Sequence, residues 1–304
     1  MRVIRYKLGD SIEYKPRAVA LGFFDGVHLG HRALIADTVA GAEREGYSAT
    51  VFTFPSEDAL KSGSSRLYST EDKLEILKTL AVDEVVLCDF NSVSELSPSD
   101  FIKKVLVEAL DCRLAVVGED FRFGYRAEGT SAYLCDIMTN MNRDVRVHKM
   151  LLSDVKGRGR VEISATLIRE LLSLGEVEEA AKLLGAPYFI PGTALRGRGD
   201  GHGLGYPTVN TEIGSSPLKH GVYHTRARVG GEYFAALTNV GICPTFSPRE
   251  PHLETHILDF SHEVYGERVS VEFLRFLRDE MTFSTKEDLI VEIKKNIEEI
   301  LGEI

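Results

Sequence analysis

Five apolar runs punctuate the first half of the chain: AVALGFF (18–24), SATVFTF (48–54), EVVLCDF (84–90), LAVVG (114–118) and DVRVHKM (144–150). Their near-continuous apolar character predicts strands covered on both faces, as in a parallel sheet. Helical periodicity appears between them. Leu34, Ile35, Thr38, Val39 and Ala42 share one face of a first helix, and Gly46 suits its C-terminal stop. Leu74, Leu77 and Leu80 line a second helix after a Ser69-Thr70 start. A third opens at SPSDF, with Ser97 as N-cap and Pro98 at the first helical position. This alternation predicts an open, doubly wound α/β domain, closed by two short helices at 165–174 and 176–184.

After LLGAPY the period shortens to that of strands: YFIPGTAL, GVYHTRARV, EYFAALTNV, LETHILDF and RVSVEFLRFL, with Gly230-Gly231 as a hairpin signal. This spacing predicts a small antiparallel β-barrel. A final helix is predicted from about Ser284, opened by the capping box STKE and carrying the stripe Leu289, Ile290, Ile293, Ile297 and Leu301. The boundary is placed at Gly185-Ala186-Pro187, giving domains of 1–184 and 185–304.

Composition narrows the class. The 304 residues are 43% hydrophobic and 27% charged, with a net charge of −10. That is a globular balance, and it argues against general nucleic-acid or anionic-membrane partners. No apolar run approaches the roughly 20 residues that span a bilayer, and MRVIRYKLGDSIEYKPR has no signal-peptide core. Cys88, Cys112, Cys135 and Cys243 are scattered without a CxxC. A reduced, cytoplasmic protein is expected, with neither a disulfide frame nor a zinc site.

The stretch GFFDGVHLGH (22–31) joins the first predicted strand to the first helix. Ligands in doubly wound domains collect at the carboxyl ends of strands, where His28 and His31 fall. A tetrahedral metal needs three or four ligands and this pair offers two. Solvated loop histidines are a second reading. Phosphate binding has the firmer basis. A helix N-terminus offers free N–H groups and a positive dipole end, and Gly22, Gly26 and Gly30 let the backbone approach closely.

HxGH after a first strand resembles the signature of the nucleotidyltransferase superfamily, and GFFDGVHLGH its flavin branch. VVGEDFRFG (116–124) and ISATLIRELL (163–172) agree in order and spacing. The resemblance implies a Rossmann-like FMN adenylyltransferase domain in which His28 and His31 contact ATP phosphates. Gly22, Phe23, Asp25 and Gly30 would bind ATP, and Ser164, Thr166 and Arg169 would grip its triphosphate; Asp120 would meet the flavin. In the second half, YPTVN resembles the PTAN motif of riboflavin kinases, and GVY (221–223), NVGICPTF (239–246) and LETHILDF (253–260) fit the same family. That implies a Mg²⁺ held by Thr208 and Asn210, ATP contacts from Gly203, Pro207 and Thr208, flavin contacts from Arg278 and Glu280, and Glu254 as catalytic base.

The chain is thus identified as a member of the bacterial bifunctional riboflavin kinase/FAD synthetase family. The implied chemistry phosphorylates riboflavin to FMN and adenylylates FMN to FAD, with small-molecule substrates and a monomer or weak homo-oligomer. Three departures stand out. TFPSED (53–58) lacks the family's histidine, Thr130 replaces an acid, and Cys243 replaces a common arginine. His202 stands where a basic residue is frequent. The first two departures motivate a second reading, a riboflavin kinase whose N-terminal domain adenylylates weakly or not at all.

Overall fold

The computed structural model describes residues 1–57, 66–195, 206–213, 216–242, 251–260 and 262–302. The chain divides into two compact units, Met1–Ala165 and Thr166–Ile304.

The first unit is built on β1 (Arg2–Tyr6), β2 (Arg17–Leu21), β3 (Ser48–Thr53), β4 (Glu84–Cys88), β5 (Cys112–Gly118) and β8 (Asp144–His148). They form one sheet in the order β1-β4-β3-β2-β5-β8, every pair parallel. The five predicted strands are present and apolar side chains cover both faces. Val19, Leu21, Phe52 and Val86 pack on one side with Ile102, Val105 and Leu134. Ala18, Ala20, Val51 and Val85 pack on the other with Ile35, Ala42 and Leu77. The edge strand β1 was not predicted. Strand order reverses between β2 and β5, which makes their carboxyl ends the switch point where such sheets bind ligands.

Helix α1 (Leu29–Glu45) ends at Gly46 (φ 72), whose N–H donates to Ala42 O. α2 (Thr70–Lys78) starts at Ser69, whose side chain accepts from Asp72 N. Ser97 caps a helical stretch at Pro98–Asp100 that continues as a π-helix over Phe101–Ala109. Short ribbons β6 (Arg122–Phe123) with β7 (Gly129–Thr130), and β9 (Leu152–Val155) with β10 (Gly159–Glu162), flank α3 (Ser131–Asn140) and β8. The first predicted strand overruns the observed one: β2 stops at Leu21, because the next residues leave the sheet through left-handed backbone.

The second unit starts at Thr166, one residue inside α4 (Ala165–Leu174), and continues with α5 (Val177–Leu184), two helices that the sequence pattern grouped with the first half. They pack here: Lys219 N donates to Leu172 O at 3.0 Å, and a Cβ on Gly175 would meet the Phe276 ring at 3.1 Å. The strands β11 (Tyr188–Thr193), β12 (Val209–Glu212), β13 (Gly221–Val229), β14 (Glu232–Ile242), β15 (Pro251–Ile257) and β16 (Arg268–Arg278) form a sheet in the order β11-β16-β13-β14-β15-β12. All its pairs are antiparallel. Leu195 N donates to Asn210 O at 2.8 Å, bringing the two outer edges together into a nearly closed barrel. Gly230 (φ 59) and Gly231 (φ 96) make the two-residue turn between β13 and β14. β12 was not among the predicted strands, because it is short and polar.

Helix α6 (Lys286–Leu301) is capped by Thr285, which accepts from Asp288 N, one residue later than the predicted box. Its inner face carries Ile293, Ile297 and Ile300 onto Val222, Leu237 and Leu258. Leu301, placed in the predicted stripe, is exposed instead, because Ile300 occupies the turn that faces the sheet.

Candidate active sites

At the switch point β2 releases the chain into a strained loop. Phe24 (φ 53) and Val27 (φ 43) take left-handed backbone, with Gly26 (φ 78) between them. Such backbone costs on the order of 1–3 kcal/mol for a non-glycine residue. Burial holds it: both side chains are enclosed in the core. Thr53 Oγ1 donates to Phe23 O at 2.9 Å and Arg32 Nε donates to Val27 O at 3.0 Å. Asp25 is buried and its Oδ1 accepts from Leu67 N at 3.2 Å. Gly22 is half-buried under the Phe24 ring, and Phe23 stacks on Phe54.

The loop delivers His28 as the N-cap of α1, its Nδ1 accepting from His31 N at 3.4 Å. The two imidazoles stack with centroids 3.6 Å apart and planes 18° apart. Gly30 permits this fold-back, since a Cβ there would meet the His28 ring at 3.2 Å. Phe24 meets His31 edge-on at 5.2 Å. Burial lowers the His28 pKa to about 4. It also drives His31 well below the usual histidine value, with the charges of His28 and Lys73 adding to the effect. Both rings are therefore neutral near pH 7. With Nδ1 accepting, the His28 proton is assigned to Nε2, which leaves that N–H as a donor. His31 Nδ1 is buried with no hydrogen-bond partner among the described residues.

The other predicted residues of this half are spread over two units. Asp120 is exposed just beyond β5. Ser164 belongs to the first unit, while Thr166 and Arg169 stand in α4 of the second. Thr130 is the N-cap of α3, its hydroxyl accepting from Tyr133 N at 3.1 Å. Aspartate and threonine both serve at N-caps, so this departure keeps the local structure. In TFPSED, Ser56 N donates to Thr70 Oγ1 at 2.8 Å, and Glu57 pairs with Arg66 at 2.6 Å. The segment is thus docked on the start of α2; Asp58 lies outside the described residues.

In the barrel, Asn210 of β12 pairs with Glu254 of β15, and Glu254 pairs with Asn239 of β14. Directly opposed residues share a sheet face with Cβ atoms roughly 4.5–5.5 Å apart, so the metal and base candidates are cross-strand neighbours. Asn210 Oδ1 is buried with no hydrogen-bond partner among the described residues. Thr208 is half-buried just ahead of β12 and Pro207 is exposed; the Pro207 carbonyl accepts from His256 Nδ1 at 2.8 Å. The Glu280 carboxylate packs against Gly241, in a place a Cβ at 241 would fill, and Asn239 Nδ2 lies 3.3 Å from that point. Arg278, expected at the flavin, lies 3.1 Å from Asn296 Oδ1 and 3.3 Å from Glu292 Oε1, both on α6. Gly203, His202 and Cys243 lie outside the described residues.

Two residues of these sites went unmarked in the sequence. Lys73 is one, and its signal was a charge on the apolar face of α2, four residues before Leu77. Asn239 is the other, and only strand register reveals it.

The FAD synthetase family model matches residues 11–161 and the riboflavin kinase family model matches residues 184–302. A bifunctional riboflavin kinase/FMN adenylyltransferase of Bacillus subtilis is 33% identical over 95% of this chain and 93% of its own. Its counterpart in Listeria monocytogenes is 35% identical over 92% and 90%. The chain belongs to the bifunctional riboflavin kinase/FMN adenylyltransferase family. It is an enzyme with both transferase domains. The reading in which the N-terminal domain adenylylates weakly or not at all does not hold: the FAD synthetase match runs through both TFPSED and Thr130. A solved structure described as a macrolide-efflux protein of Streptococcus pneumoniae superposes with a TM-score of 0.86 and 28% identity, over 98% of each chain. Efflux is that protein's description; what is shared is architecture. Among the described residues here, no helix is long and apolar enough to cross a membrane.

Proposed function

We propose that the two reactions of the family run at the two sites described, one in each half. At the first, the FMN phosphate attacks the α-phosphorus of ATP, forming the new P–O bond as the α–β anhydride breaks and pyrophosphate leaves. The phosphate is itself the nucleophile, so no general base is required. Catalysis is then orientation and stabilisation of charge on phosphate oxygens. The observation that carries this reading is the neutral, stacked histidine pair at the start of α1, with Nε2–H of His28 available as a donor. Gly22, Phe23, Asp25 and Gly30 shape the same loop. Ser164, Thr166 and Arg169 are proposed triphosphate ligands and Asp120 a flavin contact, on the motif resemblance alone.

At the second site Glu254 takes the proton of the riboflavin 5′-hydroxyl as that oxygen attacks the γ-phosphorus of ATP. Thr208 and Asn210 offer hard oxygen donors that suit Mg²⁺, and Asn210 Oδ1, which has no partner among the described residues, supports the fit. Such an ion, when bound, would neutralise charge on the phosphates. Pro207, Thr208 and Gly203 are proposed ATP contacts, and Arg278 and Glu280 flavin contacts. The kinase match beginning at residue 184 supports dividing the activities between 1–184 and 185–304. A cytoplasmic monomer or weak homo-oligomer without nucleic-acid or membrane partners completes the proposal.

The test is chromatography of products from FMN plus ATP and, separately, riboflavin plus ATP. His28→Ala is expected to lower FAD formation at least roughly 100-fold with FMN formation intact; Glu254→Gln is expected to do the reverse. Loss of both activities in either folded variant would refute the two-site assignment.

A further inference from the structure

Lys73 is 1% exposed, and lysine is almost never fully buried unless paired. Its ammonium donates to Phe54 O at 2.6 Å, Phe23 O at 3.3 Å and Thr53 Oγ1 at 3.4 Å. It also stands 5.0 Å from the centroid of the Phe23 ring. All three acceptors are neutral oxygens. Phe23 lies in the loop leaving β2; Thr53 ends β3 and Phe54 follows it. A side chain from α2 therefore ties together the ends of two adjacent strands, on the side of the sheet where the histidines stand.

Packing alone does not call for this residue. Lys73 shares the face of α2 that carries Leu77, where leucine or methionine would fill the space without desolvating a charge. The titratable groups facing it are Asp25 from the loop after β2, Glu57 from the loop after β3, and the neutral His31 on α1. Burial brings the ammonium from its ordinary 10.5 down to about 8, and Asp25 and Glu57 draw it back upward.

We propose that Lys73 is a positioning residue for adenylylation: its ammonium bolts the strained loop that presents His28 and His31 to the neighbouring strand end, and so fixes where the imidazoles meet phosphate. This rests on reading the histidine pair as the phosphate-binding site. Lys73 acts through the loop and not on the nucleotide, since its N–H groups are committed to Phe23, Thr53 and Phe54.

The experiment uses the full chain and compares Lys73→Met, Lys73→Arg and His28→Ala in both product assays. A misplacement of about 1 Å can cost on the order of 100-fold in rate, so Lys73→Met is expected to lower kcat for FAD formation between about 10-fold and about 100-fold. FMN formation should be unchanged, and Lys73→Arg should recover most of the FAD rate. The pH profile supplies a second readout. In the unaltered chain FAD formation is expected to fall as pH rises through about 8, where Lys73 would lose its proton; in Lys73→Arg that limb should move upward, because a guanidinium stays charged. If Lys73→Met retains FAD formation within about two-fold while His28→Ala abolishes it, the inference falls and the site stands. If His28→Ala also retains activity, the site reading falls and takes the inference with it. An Arg variant as inactive as Met, an unshifted alkaline limb, or matching loss of FMN formation would each reduce Lys73 to a packing role and overturn the proposal.

Discussion

His28 shows how much one residue does here. It caps α1, stacks on His31 and keeps a donor free, all in the neutral form. Keeping an imidazole neutral in a dry site has a consequence for acid stability. Its folded pKa is about 4, against an unfolded value near 6.5. Between those values the unfolded chain binds a proton that the folded chain does not, so stability falls as pH drops through that window. The full range is worth about 3 kcal/mol. His28→Asn keeps a capping side chain but cannot titrate. Urea unfolding at about pH 7 and about pH 4 should therefore show a smaller acid loss for the first unit in that variant. The pair's location was legible in GFFDGVHLGH, because spacing, glycines and the strand-to-helix switch are local properties. The capping geometry and the left-handed Phe24 and Val27 were not. Nothing in a buried phenylalanine or valine advertises positive φ; the surrounding core imposes it.

At the scale of elements, legibility followed burial. The strands β2 and β4, buried along their whole length, stood out as apolar runs. β1 reads RVIRY, mostly exposed at the sheet's edge, and left no such run. β12 reads VNTE, four residues with only Val209 apolar, so the strand that carries the proposed metal ligand Asn210 left no apolar run. Caps were legible where serine, threonine or glycine sat at a helix boundary, as at Ser69, Ser97 and Gly46. Thr130 is a cap that first read as a missing acid. If its role is to start α3, Thr130→Asp should be near neutral, while Thr130→Ala should cost about 1 kcal/mol of stability in denaturant titration. FAD formation should track α3 stability in both variants. A large activity gain in Thr130→Asp without a stability change would return the position to the catalytic set.

At the scale of the whole molecule, each unit has its own sheet and its own buried side chains, and the chemistry proposed for each sits at a different kind of place. In the first, that place is the reversal between β2 and β5. In the second, it is the row Asn239, Glu254 and Asn210, which register alone assembles from distant stretches of sequence. The pattern of apolar residues separated a βα half from a β half, but it grouped α4 and α5 with the first, whereas they pack in the second unit. It did not reveal that the barrel's outer edges meet at the same residue proposed above as a metal ligand. Asn210 accepts from Leu195 N through its main chain, while its side-chain oxygen has no partner among the described residues. Ligand capture at that oxygen and zipping of the seam are then one equilibrium, so occupancy should be written in the exchange of two amide protons. Magnesium with ATP is expected to slow hydrogen–deuterium exchange at Leu195 and Asn210, and Asn210→Ala should erase that protection.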